Sequence, residues 1–218
     1  MNHREFVAAN TALGRSALVP EIALHLASEI TPIWQATEDW LAERNLEPPF
    51  WAFSWPGSEA VARHVKDHPA TVAGKRVLDF AAGGGLAAIA AAQCGAAIVE
   101  AAEIDPFAHA MIGLNAAANG VEVLIPTDDV VGTACRWDMI FCGDVCYEAP
   151  MTQHILPWLR LMARTAEVWI ADPGRAYLPR AGMVAFATFV VPTTLELEDR
   201  TERTVTLYRL DASEPAEA

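Results

Sequence analysis

Basic residues are scarce in this chain: 15 Lys and Arg stand against 28 Asp and Glu, a formal charge of −13 over 218 residues. Binding to a phosphate backbone depends on Lys and Arg displacing counterions, so nucleic acid is excluded as the expected partner. A lysine-rich protein surface is the better electrostatic match, although solubility alone explains many acidic enzymes. Cysteine is equally sparse. Cys94, Cys135, Cys142 and Cys146 form no CxxC pair and have no His at ligand spacing, which leaves zinc and iron–sulfur sites unsupported and predicts reduced, mostly buried thiols. The start MNHREFVAANTALGR has no continuous apolar core, being broken by Glu5, Asn10 and Arg15, so no secretory signal is expected and the cytoplasm is the expected compartment. The nearly uncharged stretch over residues 80–99 is Ala and Gly with Gln93 inside it, a composition that suits a tightly packed helix rather than a membrane span. Internal repeats and low-complexity linkers are absent.

What is present is a core-sized chain, 53% hydrophobic, in which strand and helix patterns alternate. Its most informative segment is VLDFAAGGG, residues 77–85: a short apolar strand, a carboxylate near its end, and a glycine-rich turn opening the helix LAAIAAAQC. The strand AAIVEAAEI follows. It leads to Asp105-Pro106, a helix start, and that helix stops at Asn119-Gly120. Strands EVLIP and MIFCG, a helix MTQHILPWLRLMAR with a kink or later start at Pro157, and strand EVWIA come next. Beyond Asp172-Pro173-Gly174, the segment LELEDRTERTVTLYRL predicts a terminal hairpin of two period-two arms joined at residues 199–203. The prolines and tryptophans of the first eighty residues predict short helices and loops lying over the sheet. The tail ASEPAEA is expected to be disordered.

Open parallel sheets bind ligands beyond the carboxyl ends of their strands, so the polar residues there are the candidates. After the first strand stand Asp79 and the glycines of residues 83–85, which let a ligand approach the backbone. After the second stands Glu103, placed to accept both hydroxyls of a ribose. After the third stand Asp128 and Asp129, suited to an adenine amino group, and after the fourth Gly143-Asp144-Val145-Cys146-Tyr147. Plain structural roles explain each singly: Asp79 and Asp105 as helix caps, Asp128 and Asp129 as loop acids, Asp144 as an N-cap, Tyr147, Trp51, Phe53 and Trp55 as core. Four histidines, His64, His68, His109 and His154, have no neighbours that suggest catalysis. Gly83-Gly84-Gly85 followed by Ala88 also fits a relaxed GxGxxA dinucleotide fingerprint, so an NAD-dependent oxidoreductase stays in view. Asp79 before the loop and Asp128-Asp129 after the third strand weigh against it.

VLDFAAGGG, AAEIDP with a helix bearing Asn115 and Asn119, TDDV and WDMIFCGDVCY together resemble the class I S-adenosylmethionine-dependent methyltransferases. Within that class, PFWAFSWPGSEAVAR, EIDP, GDVCY and ADPGR resemble the electron transfer flavoprotein β-subunit lysine methyltransferases, over residues 18–208. The resemblance implies a doubly wound, seven-stranded, mostly parallel α/β sheet with a C-terminal antiparallel hairpin. It fits one domain over residues 1–218: an extension over 1–70 covering the site, a Rossmann-like core over 71–210, and the tail over 211–218. It implies S-adenosyl-L-methionine as cofactor, with Gly83 and Gly85 under the methionine part, Asp79 and Ala81 in the same turn, and Glu103 with neighbouring Ile104 at the ribose. Asp129, beside Asp128, reads the adenine with the Val130 amide, and Trp55 closes the pocket. Asp144 and Tyr147 match the family's DxxY motif and face the incoming amine. Ala81 departs from the common glycine, so its turn either avoids a positive φ or bears strain. The implied acceptor is the electron transfer flavoprotein β subunit, with the enzyme a monomer that engages neither nucleic acid nor membrane. A small-molecule (nicotinamide-like) N-methyltransferase, a ribosomal-protein methyltransferase and a non-catalytic methyltransferase-like binding protein are the alternatives.

Overall fold

The computed structural model describes residues 2–28, 33 and 48–212; the acidic tail beyond 212 and the stretch carrying Trp34 and Trp40 lie outside the described residues. In chain order the elements are α1 (His3–Ala9), β1 (Ala12–Arg15), β2 (Ala23–Leu26), α2 (Pro56–Asp67), β3 (Arg76–Phe80), α3 (Leu86–Gln93), β4 (Ile98–Ala102) and α4 (Pro106–Ala118). They continue as β5 (Met139–Gly143), α5 (Ala149–Met162), β6 (Glu167–Asp172), β7 (Met183–Pro192), the single turn α6 (Leu195–Glu198) and β8 (Glu202–Leu210).

Six strands form the main sheet in the order β4-β3-β5-β6-β8-β7, with β3, β4, β5 and β6 parallel and β8 antiparallel to both its neighbours. The expected α/β class and terminal hairpin are therefore present. The expected seventh strand, EVLIP, is reduced to one parallel bridge between Leu124 and Glu100, held by Leu124 N to Val99 O and Ala101 N to Leu124 O, each 2.9 Å. Pro126 brings no N–H with which to extend that ladder.

Both faces of the central strands are apolar, as a covered parallel sheet requires. Val77, Met139, Phe141, Trp169 and Ala171 belong to one core with α2 and α3; Leu78, Phe80, Ile140, Cys142, Val168 and Ile170 belong to the other with α5. Helix α2 therefore packs directly on the sheet, touching β5, β6, β7 and β8, while α1 and the small β1–β2 hairpin join α4 at the edge. Asp105 caps α4 by accepting from Phe107 N at 2.8 Å, with Pro106 at the first helical position, as the dipeptide predicts. Helix α5 begins at Ala149 and continues through Pro157.

The hairpin's first arm is the uncharged run MVAFATFVVP, and LELE is a helical turn instead of a strand. Thr194 caps that turn and Asp199 leaves it in the left-handed region at φ 54°, so four alternating residues were too short a pattern to fix an arm. Among the described residues no helix is long and apolar enough to cross a membrane.

The chain runs from β3 outward to β4, then returns across β3 to β5. The order thus reverses between β3 and β5, and their carboxyl ends flank the crevice where doubly wound sheets hold ligands.

Candidate active site

The turn after β3 is built from left-handed residues: Ala81 at φ 52°, Gly83 at 53° and Gly85 at 77°. Ala81 takes the strained alternative, and for an alanine this conformation costs roughly 1–2 kcal/mol. A Cβ on Gly83 would meet nothing within 4 Å, whereas one on Gly85 would press Ile112 at 3.3 Å. Gly83 thus presents bare backbone to open space, and Gly85 lets α3 sit against α4.

Asp79 is buried and accepts from Ala88 N at 2.9 Å, in the first turn of α3. It performs the capping role. Burial, reinforced by the nearby charge of Glu103, pushes its carboxyl up to about 8. Glu103 at the end of β4 accepts from Gly83 N at 2.6 Å through Oε1 and from Ile104 N at 3.2 Å through Oε2, so the tips of β3 and β4 are tied together; burial raises this carboxyl also.

Between these tips and the N-terminal segments lies a cleft lined by Ala81, Gly83 and Gly84, by Trp51, Phe53 and Trp55, and by His25 and Asn115. Asn115 is buried and works as a bracket, its Nδ2 donating to Gly84 O at 2.9 Å and its Oδ1 accepting from His25 N at 2.7 Å. Asn119 repeats the device on Ala23, donating to its carbonyl at 2.6 Å and accepting from its amide at 2.9 Å. The two asparagines stand four apart at the end of α4 and so share one face of that helix.

Not every expected residue reaches this cleft. Asp129 accepts from Val131 N at 2.9 Å within its own turn, Asp128 is exposed, and Val130 packs in the core with Phe80 and Ala102. Ile104 is 83% exposed. Of the expected residues Trp55, Ala81 and Gly83 line the cleft; these four do not, and neither do Asp79, Gly85, Glu103, Asp144 and Tyr147.

At the end of β5, Gly143 faces the cleft and Asp144 turns away from the strand at φ 56°, a region Asp tolerates better than most residues. Helix α2 begins in contact with this strand end: a Cβ on Gly143 would fall 2.7 Å from Ser58 N, and one on Gly57 would fall 2.6 Å from Ala171 O. The Asp144 carboxylate is 9% exposed and held from two sides. Gly57 N donates to Oδ2, and Arg175 donates to Oδ1 from Nη2 at 2.7 Å and Nε at 3.1 Å. Three separate motif segments, SWPG, GDVCY and ADPGR, therefore meet on one carboxylate.

Arg175 reaches further. Its Nη2 also contacts Glu198 Oε1 at 2.5 Å and its Nη1 contacts Oε2 at 3.2 Å, while Arg203 Nε meets the same Glu198 Oε2 at 2.9 Å. Burial pushes Asp144 up to about 6, with Arg175 and the Gly57 amide opposing that rise.

Tyr147 stands at the mouth, 42% exposed, with its ring 5.7 Å from that of Phe50. Phe50 in turn lies 5.9 Å from Trp55, whose Nε1 donates to Phe50 O at 2.8 Å. Burial raises the Tyr147 phenol, so it stays protonated. The structure thus gathers Trp55, Ala81, Gly83, Gly85, Glu103 and Asp79 around the Gly-rich turn and Asp144 with Tyr147 across the crevice. Arg175, Glu198 and Gly57 were not singled out from sequence: Arg175 is 31 positions from Asp144, a separation that no local spacing encodes.

Comparison with known proteins follows the same lines. Residues 67–143, from the last residue of α2 through β5, match the ribosomal protein L11 methyltransferase (PrmA) family model. The putative RNA methyltransferase of Pyrococcus horikoshii shares the fold at a TM-score of 0.53 and 17% identity, over 74% of this chain and 86% of its own. The magnesium protoporphyrin IX methyltransferase of Synechocystis, solved with S-adenosylmethionine bound, does so at 0.52 and 15% identity, over 85% and 100%. Among curated relatives, the electron transfer flavoprotein β-subunit lysine methyltransferase of Danio rerio is 34% identical over 206 residues, 90% of this chain and 78% of the relative. Its counterpart in Xenopus laevis is 37% identical over 178 residues, 79% and 71%. The chain belongs to the electron transfer flavoprotein β-subunit lysine methyltransferase family.

Proposed function

We propose that the protein transfers a methyl group from S-adenosylmethionine to lysine side chains of the electron transfer flavoprotein β subunit. The observation that carries this reading is the convergence of SWPG, GDVCY and ADPGR on the Asp144 carboxylate, across the crevice from the Gly-rich turn. Relatives named for this activity support the choice of acceptor.

The residues present suit the cofactor. Gly83 offers open backbone, Glu103 keeps acceptor capacity beside it for ribose hydroxyls, and aromatic Trp55 lines the same cleft. Gly83, Glu103 and Trp55 would hold it, with Asp79 fixing the turn from behind. The cofactor supplies a methyl group on a positively charged sulfur, which leaves with its electron pair on that sulfur. A dinucleotide is disfavoured by the same geometry, because Asp79 already places a carboxyl on the first turn of α3, where a pyrophosphate would need free amides and no competing acid.

Displacement at a methyl carbon needs alignment more than acid–base help. A lysine ammonium has a pKa of about 10.4 and must shed a proton before its lone pair can attack. Asp144, ionised at neutral pH with its value near 6, receives and orients the amine; Tyr147 and Phe50 flank its aliphatic stem and offer π faces to the cation. One N–C bond forms as the S–C bond breaks, and one proton leaves the nitrogen for each methyl added.

The test is incubation of the protein with S-adenosylmethionine and, in separate reactions, the flavoprotein subunit, ribosomal protein L11 and nicotinamide. Mass spectrometry should find methyl increments on lysines of the subunit. Methylation of nicotinamide or L11 in place of the subunit would overturn the acceptor assignment.

A further inference from the structure

The charged groups around Asp144 do not balance. Asp172 ends β6 and accepts from Gly174 N and Arg175 N through Oδ1, at 2.7 and 2.6 Å, while its buried Oδ2 has no hydrogen-bond partner. Asp144 and Glu198 both pair with Arg175, and Arg203 pairs with Glu198, while Asp172 feels the Arg175 charge without an ion pair to it. Three carboxylates thus stand beside two guanidiniums, Arg175 from the loop after β6 and Arg203 from β8. Helix α2 contributes the Gly57 amide. Glu198 is the pivot. Its side chain is 1% exposed and takes contacts from both arginines, so Arg175 is divided between two acids rather than given wholly to Asp144.

We propose that Glu198 is a positioning residue of the acceptor site: by drawing the Arg175 guanidinium to itself it keeps Asp144 from complete charge pairing and leaves the pocket one cation short. A lysine ammonium fills that place. This rests on the reading of Asp144 as the carboxylate that meets the acceptor amine. It also gives the α6 turn a purpose, since the turn between β7 and β8 carries Glu198 to Arg175 and Arg203, with Thr194 and Asp199 fixing its two ends.

The experiment uses the full chain with carboxyl-labelled aspartate, followed by carbon NMR through a pH titration, in the wild type, Glu198→Gln, Arg175→Met and the double variant. Glu198→Gln should lower the Asp144 midpoint, because Arg175 then pairs with Asp144 alone, and Arg175→Met should raise it. In the double variant the Glu198 effect should vanish. With the flavoprotein subunit as acceptor, Glu198→Gln should raise acceptor KM about tenfold with kcat within about twofold and cofactor affinity unchanged. Glu198→Asp, which keeps the charge but shortens the reach, should move the midpoint the same way by less and serves where the glutamine variant folds poorly. An Asp144 midpoint that ignores both Glu198 variants, or a Glu198 effect that persists without Arg175, overturns the proposal. A wild-type chain that methylates no lysine removes the acceptor reading while the titration still decides the role of Glu198. Normal methylation with an unmoved midpoint removes that role alone.

Discussion

Ala81 shows how one residue carries the conflict between sequence preference and site geometry. An alanine at φ 52° sits where glycine is ordinarily placed, in the turn that lines the cleft, and its methyl packs beside the core under α5. Ala81→Gly relieves roughly 1–2 kcal/mol of strain and gives back part of it through backbone entropy and lost burial, so a net gain of about 0.5 kcal/mol in urea unfolding is expected. Ala81→Val adds a branch at Cβ where φ is positive and should cost about 2 kcal/mol or more. The sequence narrowed this position to two outcomes but left the choice open, because the conformation is imposed by the Glu103–Gly83 bond and by the packing of α3, both set by residues elsewhere in the chain.

At the scale of elements, the legible parts were those whose pattern is local. Strands β3, β5 and β6 read as unbroken apolar runs because both their faces are covered, and Asp105-Pro106 announced α4 through its own cap. The first hairpin arm was misplaced for the opposite reason: β7 is an edge strand without charge or alternation, while LELE alternates over only four residues. Helix α2 lies over the sheet, as the prolines and tryptophans around it predict, and packs on four of its strands. The Asp144–Arg175–Glu198 connection joins three segments far apart in the chain: GDVCY and ADPGR stand out as motifs, but nothing local in them shows that they pair, and Glu198 lies in no motif. Cohesion between the N-terminal hairpin and the Gly-rich turn rests on Asn115. Replacing it by Ala leaves the His25 amide and the Gly84 carbonyl without partners, at about 1–3 kcal/mol each, so Asn115→Ala should lose about 2–6 kcal/mol in stability and weaken cofactor binding in calorimetry. Unchanged affinity would remove the hairpin from the cofactor site.

For the whole molecule the net charge of −13 suits the lysine-bearing acceptor that the proposed function assigns. Encounter between an acidic enzyme and a basic patch is screened once the Debye length falls from about 10 Å at 0.1 M salt to about 3 Å at 1 M. The acceptor KM should therefore rise across that range while the affinity for S-adenosylmethionine changes little; parallel changes in both would assign the salt effect to the fold instead. The central claim is that Asp144 serves the acceptor and the Gly-rich turn serves the cofactor, two functions on facing strand ends. The most direct measurement compares wild type with Asp144→Asn, reading cofactor binding by calorimetry and methyl increments on the flavoprotein subunit by intact mass. The account predicts cofactor affinity within about threefold of wild type and transfer reduced by about a hundredfold or more. Undiminished transfer by Asp144→Asn would contradict it.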